Sequence, residues 1–314
     1  MPNDGTRENH RLRAEMRRFD HQEEVDLVVV GCGAGGGVLT QRLARRGWKV
    51  VTFEAGPFWD PDRDWVSDEA GSHRLYWTEP RVISGGDPAA LGANNSGRGV
   101  GGSMVHLAGY VPRFHPSDFH TLSIDGVGAD WPITYGDLKR HYKDLEEELP
   151  TAGQDWPWGD PHRYPQSPHP ISGNGMVFVK GCEKLGIEVK VGPVAIVNGR
   201  FGNRSHCIYR GFCIQGCKVN AKASPLITHV PDALAHGAEI RADSMVTRID
   251  LGTDGHANGV TYIHDGVEYR QRARMVAVAG YSIETPRLLL NSACTRFPEG
   301  LCNEYDQVGR YVMV

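Results

Sequence analysis

Three sets of residues in the chain have the types and spacing to do chemistry. Gly31, Gly33 and Gly36 form G-x-G-x-x-G within 31-GCGAGGG, and Glu54 follows about 20 residues further on. In such a loop the first glycine makes a tight turn and the second lets the backbone approach a pyrophosphate. The third lets helix and strand pack closely. The amides and positive dipole end of the following helix then face the phosphates, and a carboxylate at Glu54 can accept from ribose hydroxyls. The second set is 98-RGVGGSMVH, with Gly101, Gly102, Ser103 and His106. Taken alone, that diglycine could belong to any tight turn. The third set is Cys207, Cys213 and Cys217, crowded into 207-CIYRGFCIQGC.

The elements that must position these residues can be read around them. Val25 to Val30 is almost entirely β-branched, as in a strand buried on both faces of a parallel sheet. After the glycine loop, Val38, Leu39, Leu43 and Ala44 recur at helical spacing up to Gly47, and Val50, Val51 and Phe53 read as the next strand. This strand, turn, helix and strand order gives the glycine pattern its specificity, although the same loop serves NAD and FAD alike. Asp60 to Asn95 reads as a long irregular surface or lid segment, too polar for a core element. A helix is expected after Thr134 as its N-cap, and Thr151 to Gly175 reads as a connection between domains. A short helix follows from Met176, then an extended stretch from Val189 to Val197 and a helix over Leu226 to His236. Strands are expected at Glu239–Ala242, Met245–Leu251, Gly259–His264 and Val267–Arg272, the last two joined by the hairpin pair Asp265-Gly266. A further strand in 274-RMVAVAG leads to a turn at Gly280 and a helix capped by Thr285, with Pro286 at its first position.

Composition narrows the class. Lys and Arg number 34 against 38 Asp and Glu, without long blocks of either sign, which argues against a nucleic-acid footprint. Seven cysteines, unevenly spread in a chain of this size, do not suggest a disulfide framework. Residues 1–23 are charged and carry no apolar run, so they read as a disordered tail with neither a signal peptide nor direct membrane insertion.

In order along the chain, 31-GCGAGG, Glu54-Ala55-Gly56, 98-RGVGGS, 131-WPITYGDL and 275-MVAVAGYSIETPRLLLNS resemble the glucose-methanol-choline (GMC) family of FAD-dependent oxidoreductases. The likeness runs from about Val25 to the end of the chain. It implies an α/β fold: a Rossmann-like FAD-binding domain with a mixed sheet, interleaved with part of a smaller α+β substrate domain. The FAD-binding domain would comprise 24–115 and 203–296; 116–202 and 297–314 would form a partial cap. FAD is therefore the expected cofactor, with Gly101, Gly102 and Ser103 lying against the flavin. The backbone of Val246 would meet the adenine, and Gly280 would lie near the flavin. The spacing in 279-AGYSIETP is one residue longer than the family's commonest form. His106 stands where some relatives carry a histidine joined covalently to flavin; the other reading is a histidine packed beside the ring.

The stretch 207-CIYRGFCIQGCKVNAKAS resembles the branch that includes the large subunits of gluconate 2-dehydrogenase and related sugar dehydrogenases. Some of these carry an iron-sulfur cluster between the flavin and a haem-bearing partner. The resemblance offers Cys207, Cys213 and Cys217 as cluster ligands, against a reading in which the thiols simply pack. It further implies a small alcohol or sugar-type substrate, oxidised at a CH-OH group by hydride transfer to flavin. A small subunit and a cytochrome electron acceptor would be its partners. The family's basic histidine belongs to a C-terminal part not found among these residues, so the catalytic residues are expected beyond Val314 and the chain reads as a fragment. Two alternatives stay open: a non-catalytic flavin and iron-sulfur electron-transfer subunit, and an NAD-dependent dehydrogenase. Location is cytoplasmic by default, or periplasmic by co-export with a partner.

Overall fold

A computed structural model describes residues 4–68, 70–83, 89–92, 96–155, 161–202 and 204–310. Parts of the two long irregular stretches, 84–88, 93–95 and 156–160, lie outside the described residues, as does the 311–314 end of the expected partial cap. The chain divides into a first unit of Met1–His106, Ile214–Lys218 and Ser224–Val314 and a second of Leu107–Cys213 and Val219–Ala223. Its elements in order are α1 (Asp4–Ala14), β1 (Val25–Val30), α2 (Ala34–Ala44), β2 (Val50–Phe53), β3 (Arg81–Ile83) and β4 (Ala89–Gly92). Then come α3 (Thr121–Asp125), α4 (Tyr135–Glu148), α5 (Gly173–Lys184), α6 (Val230–Ala235), β5 (Glu239–Arg241), β6 (Ser244–Leu251), β7 (Ala257–His264), β8 (Val267–Val278) and α7 (Tyr281–Asn291).

The first unit is built on a six-stranded mixed sheet in the order β5-β2-β1-β8-β7-β6. Strands β5, β2, β1 and β8 run parallel, while β8, β7 and β6 form an antiparallel meander. The β-branched run of β1 is buried on both faces. Val28 packs with Phe53, Tyr262 and Leu288, whereas Leu27 and Val29 pack with Ala44, Val50 and Ala233. Each such side chain contributes roughly 1.5–3 kcal/mol by leaving water. Val30 pairs with both Phe53 and Val278, so the carboxyl ends of three parallel strands finish together at one edge. Open α/β sheets bind ligands at such an edge.

Several expectations are corrected. The two strands expected at 267–272 and within 274-RMVAVAG are one, β8, whose first half pairs with β7 and second half with β1. No turn residue interrupts it. At the hairpin before it, Asp265 and Gly266 both have positive φ, 50° and 75°, the turn that the strand twist favours. The expected disordered tail contains α1, and it is followed by Met16 and Phe19, both buried. The Phe19 amide donates to Glu239 (2.9 Å) and its carbonyl accepts from Arg241 (2.8 Å), which pins the segment to β5. Residues 297–310, expected in the cap, belong to the first unit. The segment 60–95 is not purely polar surface, since Trp65, Leu75 and Trp77 are buried and β3 and β4 form a two-stranded hairpin. Helix α7 starts a turn earlier than expected; the Thr285 hydroxyl accepts from the Gly280 amide (3.1 Å), and Pro286 lies inside the helix. Helix α6 is shorter than the expected 226–236 span, and Val189–Val197 makes isolated bridges at Val194 and Ile196 in place of a strand.

In the second unit α4 begins where expected. The amide and hydroxyl of Thr134 both donate to the Asp137 carboxylate at 2.8 Å. Its last turn supplies Glu146, which accepts two bonds of 2.7 Å from Arg113; the two side chains are 9% and 6% exposed. These bonds hold the Arg113 pKa above its ordinary value against the opposing cost of burial. Arg113→Met would strand a buried carboxylate, so urea unfolding is expected to show a loss of about 3–5 kcal/mol. Pairing that change with Glu146→Leu should restore most of it; equal losses in both variants would contradict this account. Among the described residues, no helix is long and apolar enough to cross a membrane.

Candidate functional site

A cavity of about 360 Å³ opens in the first unit at the carboxyl edge of its parallel strands. Gly31, Gly33, Glu54, Gly102, Ser103, Val246 and Gly280 line it together, although they are scattered over most of the chain. The glycine loop shows why side chains are excluded. Gly31 has φ +98°, and a Cβ there would lie 2.4 Å from the Ala279 carbonyl oxygen. A Cβ on Gly36 would lie 1.8 Å from the Gly31 carbonyl oxygen, which is how this glycine lets α2 pack against β1 without itself lining the cavity. Helix α2 starts at Gly33 with no side-chain cap and no acidic residue in its first turn, which leaves amides and a positive dipole end toward the cavity.

The second glycine pair backs directly onto the first. The Gly101 amide donates to the Cys32 carbonyl (2.9 Å), and a Cβ on Gly102 would sit 2.6 Å from the Gly33 Cα. Gly101, at φ +102°, is buried behind the cavity wall while Gly102 and Ser103 face it. The Ser103 hydroxyl accepts from the Gly97 amide (3.0 Å), which holds this turn.

Glu54 differs in part from its expected role. It directly follows β2 and lines the cavity, but its carboxylate already accepts from the amides of Cys32, Gly56 and Gly99, each at 3.1 Å. A carboxylate has about four acceptor positions, so roughly one is left for a ribose hydroxyl. Burial pushes the Glu54 pKa up, and the amides pull against it. Burial, with the neighbouring Glu54 charge, also raises the Cys32 thiol well above the ordinary range, so it stays protonated and inert.

His106 is not among the cavity-lining residues. Its ring lies tilted against that of Tyr76, centroids 4.4 Å apart, and its Nε2 lies 2.6 Å from where a Cβ of Gly97 would stand. It therefore packs behind the glycine that lines the cavity. Acid-precipitated, FAD-loaded protein is expected to give a colourless polypeptide, and flavin absorbance that stays with the precipitate would show a covalent link. The thiols of Cys207 and Cys213 belong to the second unit and that of Cys217 to the first. Among the described residues no group of three or more His, Cys, Asp or Glu is placed to hold a metal ion.

The sequence reading missed part of the wall. Trp77, Arg81 and Glu284 line the cavity, as does Tyr281 at the start of α7. Tyr281 has φ +79°, a conformation costing a side-chain-bearing residue roughly 1–2 kcal/mol. Its signal was the extra residue in 279-AGYSIETP. Trp77 and Arg81 had no signal, since nothing in an irregular segment reveals which residues turn inward.

A family model described as GMC oxidoreductase matches residues 93–310. The chain is 32% identical over 316 residues to the 2-methyl-1,2-propanediol dehydrogenase of Mycolicibacterium austroafricanum, covering 93% of this chain and 55% of that protein. It is 28% identical over 325 residues to the fructose dehydrogenase large subunit of Gluconobacter japonicus, covering 92% and 58%. The chain thus spans about half the length of the curated relatives it matches. Among solved structures, formate oxidase of Aspergillus oryzae RIB40 aligns with TM-score 0.57 over 88% of this chain and 48% of that one. At 18% identity that likeness concerns the fold alone.

Proposed function

The chain belongs to the GMC oxidoreductase family, and on that premise we propose that it is the FAD-holding portion of an alcohol or sugar dehydrogenase. The observation that carries the reading is the double glycine cradle, in which Gly33 and Gly102 meet backbone to backbone inside one cavity. A diphosphate fits there because the α2 amides are uncapped and no Cβ intrudes. When bound, FAD supplies the acceptor for a hydride leaving a CH-OH carbon. The chain's own residues bind and orient: the α2 amides hold phosphate, Glu54 takes a ribose hydroxyl, and the Val246 backbone borders the adenine. The Gly102-Ser103 turn supports the ring system. Apolar packing around Val100 and Val105 behind that turn keeps water from its far side.

The proton-abstracting residue of this reaction is proposed to lie outside these 314 residues; coverage of only 55% and 58% of two relatives supports this part of the reading. Substrates would be small alcohols or sugars, as the names of those relatives suggest. A small subunit is the partner proposed from the large-subunit relative, and a cytochrome electron acceptor is proposed from the resemblance of 207-CIYRGFCIQGC alone. An iron-sulfur cluster on Cys207, Cys213 and Cys217 rests on their sequence pattern alone. Iron and acid-labile sulfide assays on anaerobically purified protein test it, and absence of both removes it.

The main test is titration of the purified chain with FAD and, separately, NAD. Saturable quenching of flavin fluorescence at one FAD per chain is expected, with little dye reduction by alcohols or sugars. Tight NAD binding without FAD binding would overturn the cofactor, and robust dye reduction would overturn the placement of the base.

A further inference from the structure

Among the described residues, strands β3 and β4 pair with each other and not with the six-stranded sheet. A two-stranded hairpin is marginal by itself, so its position at the cavity needs another support. The base of this segment is fastened locally, by the Trp77 amide donating to the Ser96 carbonyl (2.8 Å) and the Arg98 amide to the Leu75 carbonyl (3.1 Å). Farther out, Arg81 reaches α7. Its Nε and Nη2 donate to Glu284 Oε1 at 3.0 and 2.9 Å, across 203 residues of sequence. Its Nη1 donates to the Ser96 hydroxyl (2.8 Å), and its guanidinium lies 4.6 Å from the Trp77 ring centroid.

The Arg81 and Glu284 side chains are only 8% and 16% exposed, so water screens this pair far less than it screens a surface ion pair. Glu284 sits in the first turn of α7, where the helix dipole favours a carboxylate, and Arg287 holds its other oxygen (2.7 Å). Trp77, Arg81, Ser96 and Glu284 all line the cavity that contains the glycine cradle. The hairpin side of the wall and the α7 side are therefore joined by one guanidinium.

We infer that the Arg81–Glu284 pair is a clasp that fixes the wall residues Trp77 and Ser96 to α7 and sets how slowly the bound dinucleotide leaves. The inference rests on the cavity holding FAD. Both are positioning residues, acting through the wall. Arg81→Met removes the clasp and leaves the glycine cradle untouched; Glu284→Gln keeps the shape and removes the charge.

The experiment measures FAD release. Wild type, Arg81→Met, Glu284→Gln, the double variant and Arg81→Lys are loaded with FAD and freed of excess. Each is then diluted while recovery of flavin fluorescence is followed. Release is expected to be about tenfold faster in each single variant, on the scale of a charged hydrogen bond. The double variant should release no faster than the singles, and Arg81→Lys should lie between wild type and Arg81→Met. Circular dichroism of each sample shows whether the sheet is intact, and Glu284→Gln serves if Arg81→Met does not fold. Folded variants that release FAD at the wild-type rate would overturn the clasp. Wild-type protein that never retains FAD would instead overturn the proposed function on which the clasp depends.

Discussion

Gly36→Ala is expected to unfold the dinucleotide loop, with a loss of about 3 kcal/mol or more in stability and at least a hundredfold weaker FAD binding. The added Cβ would lie 1.8 Å from the Gly31 carbonyl oxygen and 3.2 Å from Val29 Cγ1. The oxygen belongs to backbone at the end of a strand paired on both sides, so no rotamer change relieves the clash. Only separation of α2 from β1 would. Gly31→Ala should behave alike, because its φ of +98° disfavours any side chain and its Cβ would meet the Ala279 oxygen at 2.4 Å. Gly35→Ala is the control for stability alone, since Gly35 lines the cavity: nothing lies within 4 Å of its Cβ, and alanine in a helix is favoured by roughly 0.5–1 kcal/mol. Thermal unfolding and flavin titration of the three variants decide the matter. If Gly36→Ala binds FAD as tightly as wild type, the role given to close backbone packing is wrong.

Glu54→Ala is expected to cost about 3 kcal/mol or more, because it would leave the buried amides of Cys32, Gly56 and Gly99 without their acceptor. Those amides belong to the first glycine loop, the turn after β2 and the second glycine loop, so one carboxylate ties together the parts of the cradle. Glu54→Gln should cost less, about 1–2 kcal/mol, since it keeps one acceptor oxygen and turns an amide donor toward another donor. The two variants also separate acceptance from charge. The folded-state pKa of Glu54 lies above its ordinary value, chiefly from burial. In the window between the unfolded and folded values the folded state binds more protons, so stability from this group is full below the unfolded pKa. It is lost as pH rises through the folded one. Wild type should therefore show a decline across that window that Glu54→Gln lacks. Parallel stability profiles for the two proteins would show that Glu54 does not titrate there.

Much of the site was legible because its signals are local and chemical. A glycine that must take φ +98° or admit a backbone oxygen at contact leaves a mark in the residue type itself, and the strand and helix flanking 31-GCGAGGG are set by a valine-rich run and a pattern of period 3.6. The hairpin at Asp265-Gly266 was legible for the same reason. By contrast, the N-terminal segment looked like a tail because Met16 and Phe19 carry no periodic pattern, and Phe19 is held by Glu239 and Arg241 more than 200 residues away.

By itself, then, the sequence determined a βαβ dinucleotide unit, a second glycine turn, and a mixed α/β fold, since each rests on backbone conformations that only certain residues permit. The tertiary structure decided what each polar group meets. It turned the Glu54 carboxylate largely toward three amides of its own cradle, set His106 behind Gly97, and brought Arg81 from a hairpin to Glu284 on α7. The physical reason is that backbone permission is a property of a residue and its neighbours. A carboxylate, an imidazole or a guanidinium finds its partner only when packing removes water from both and leaves each needing the other.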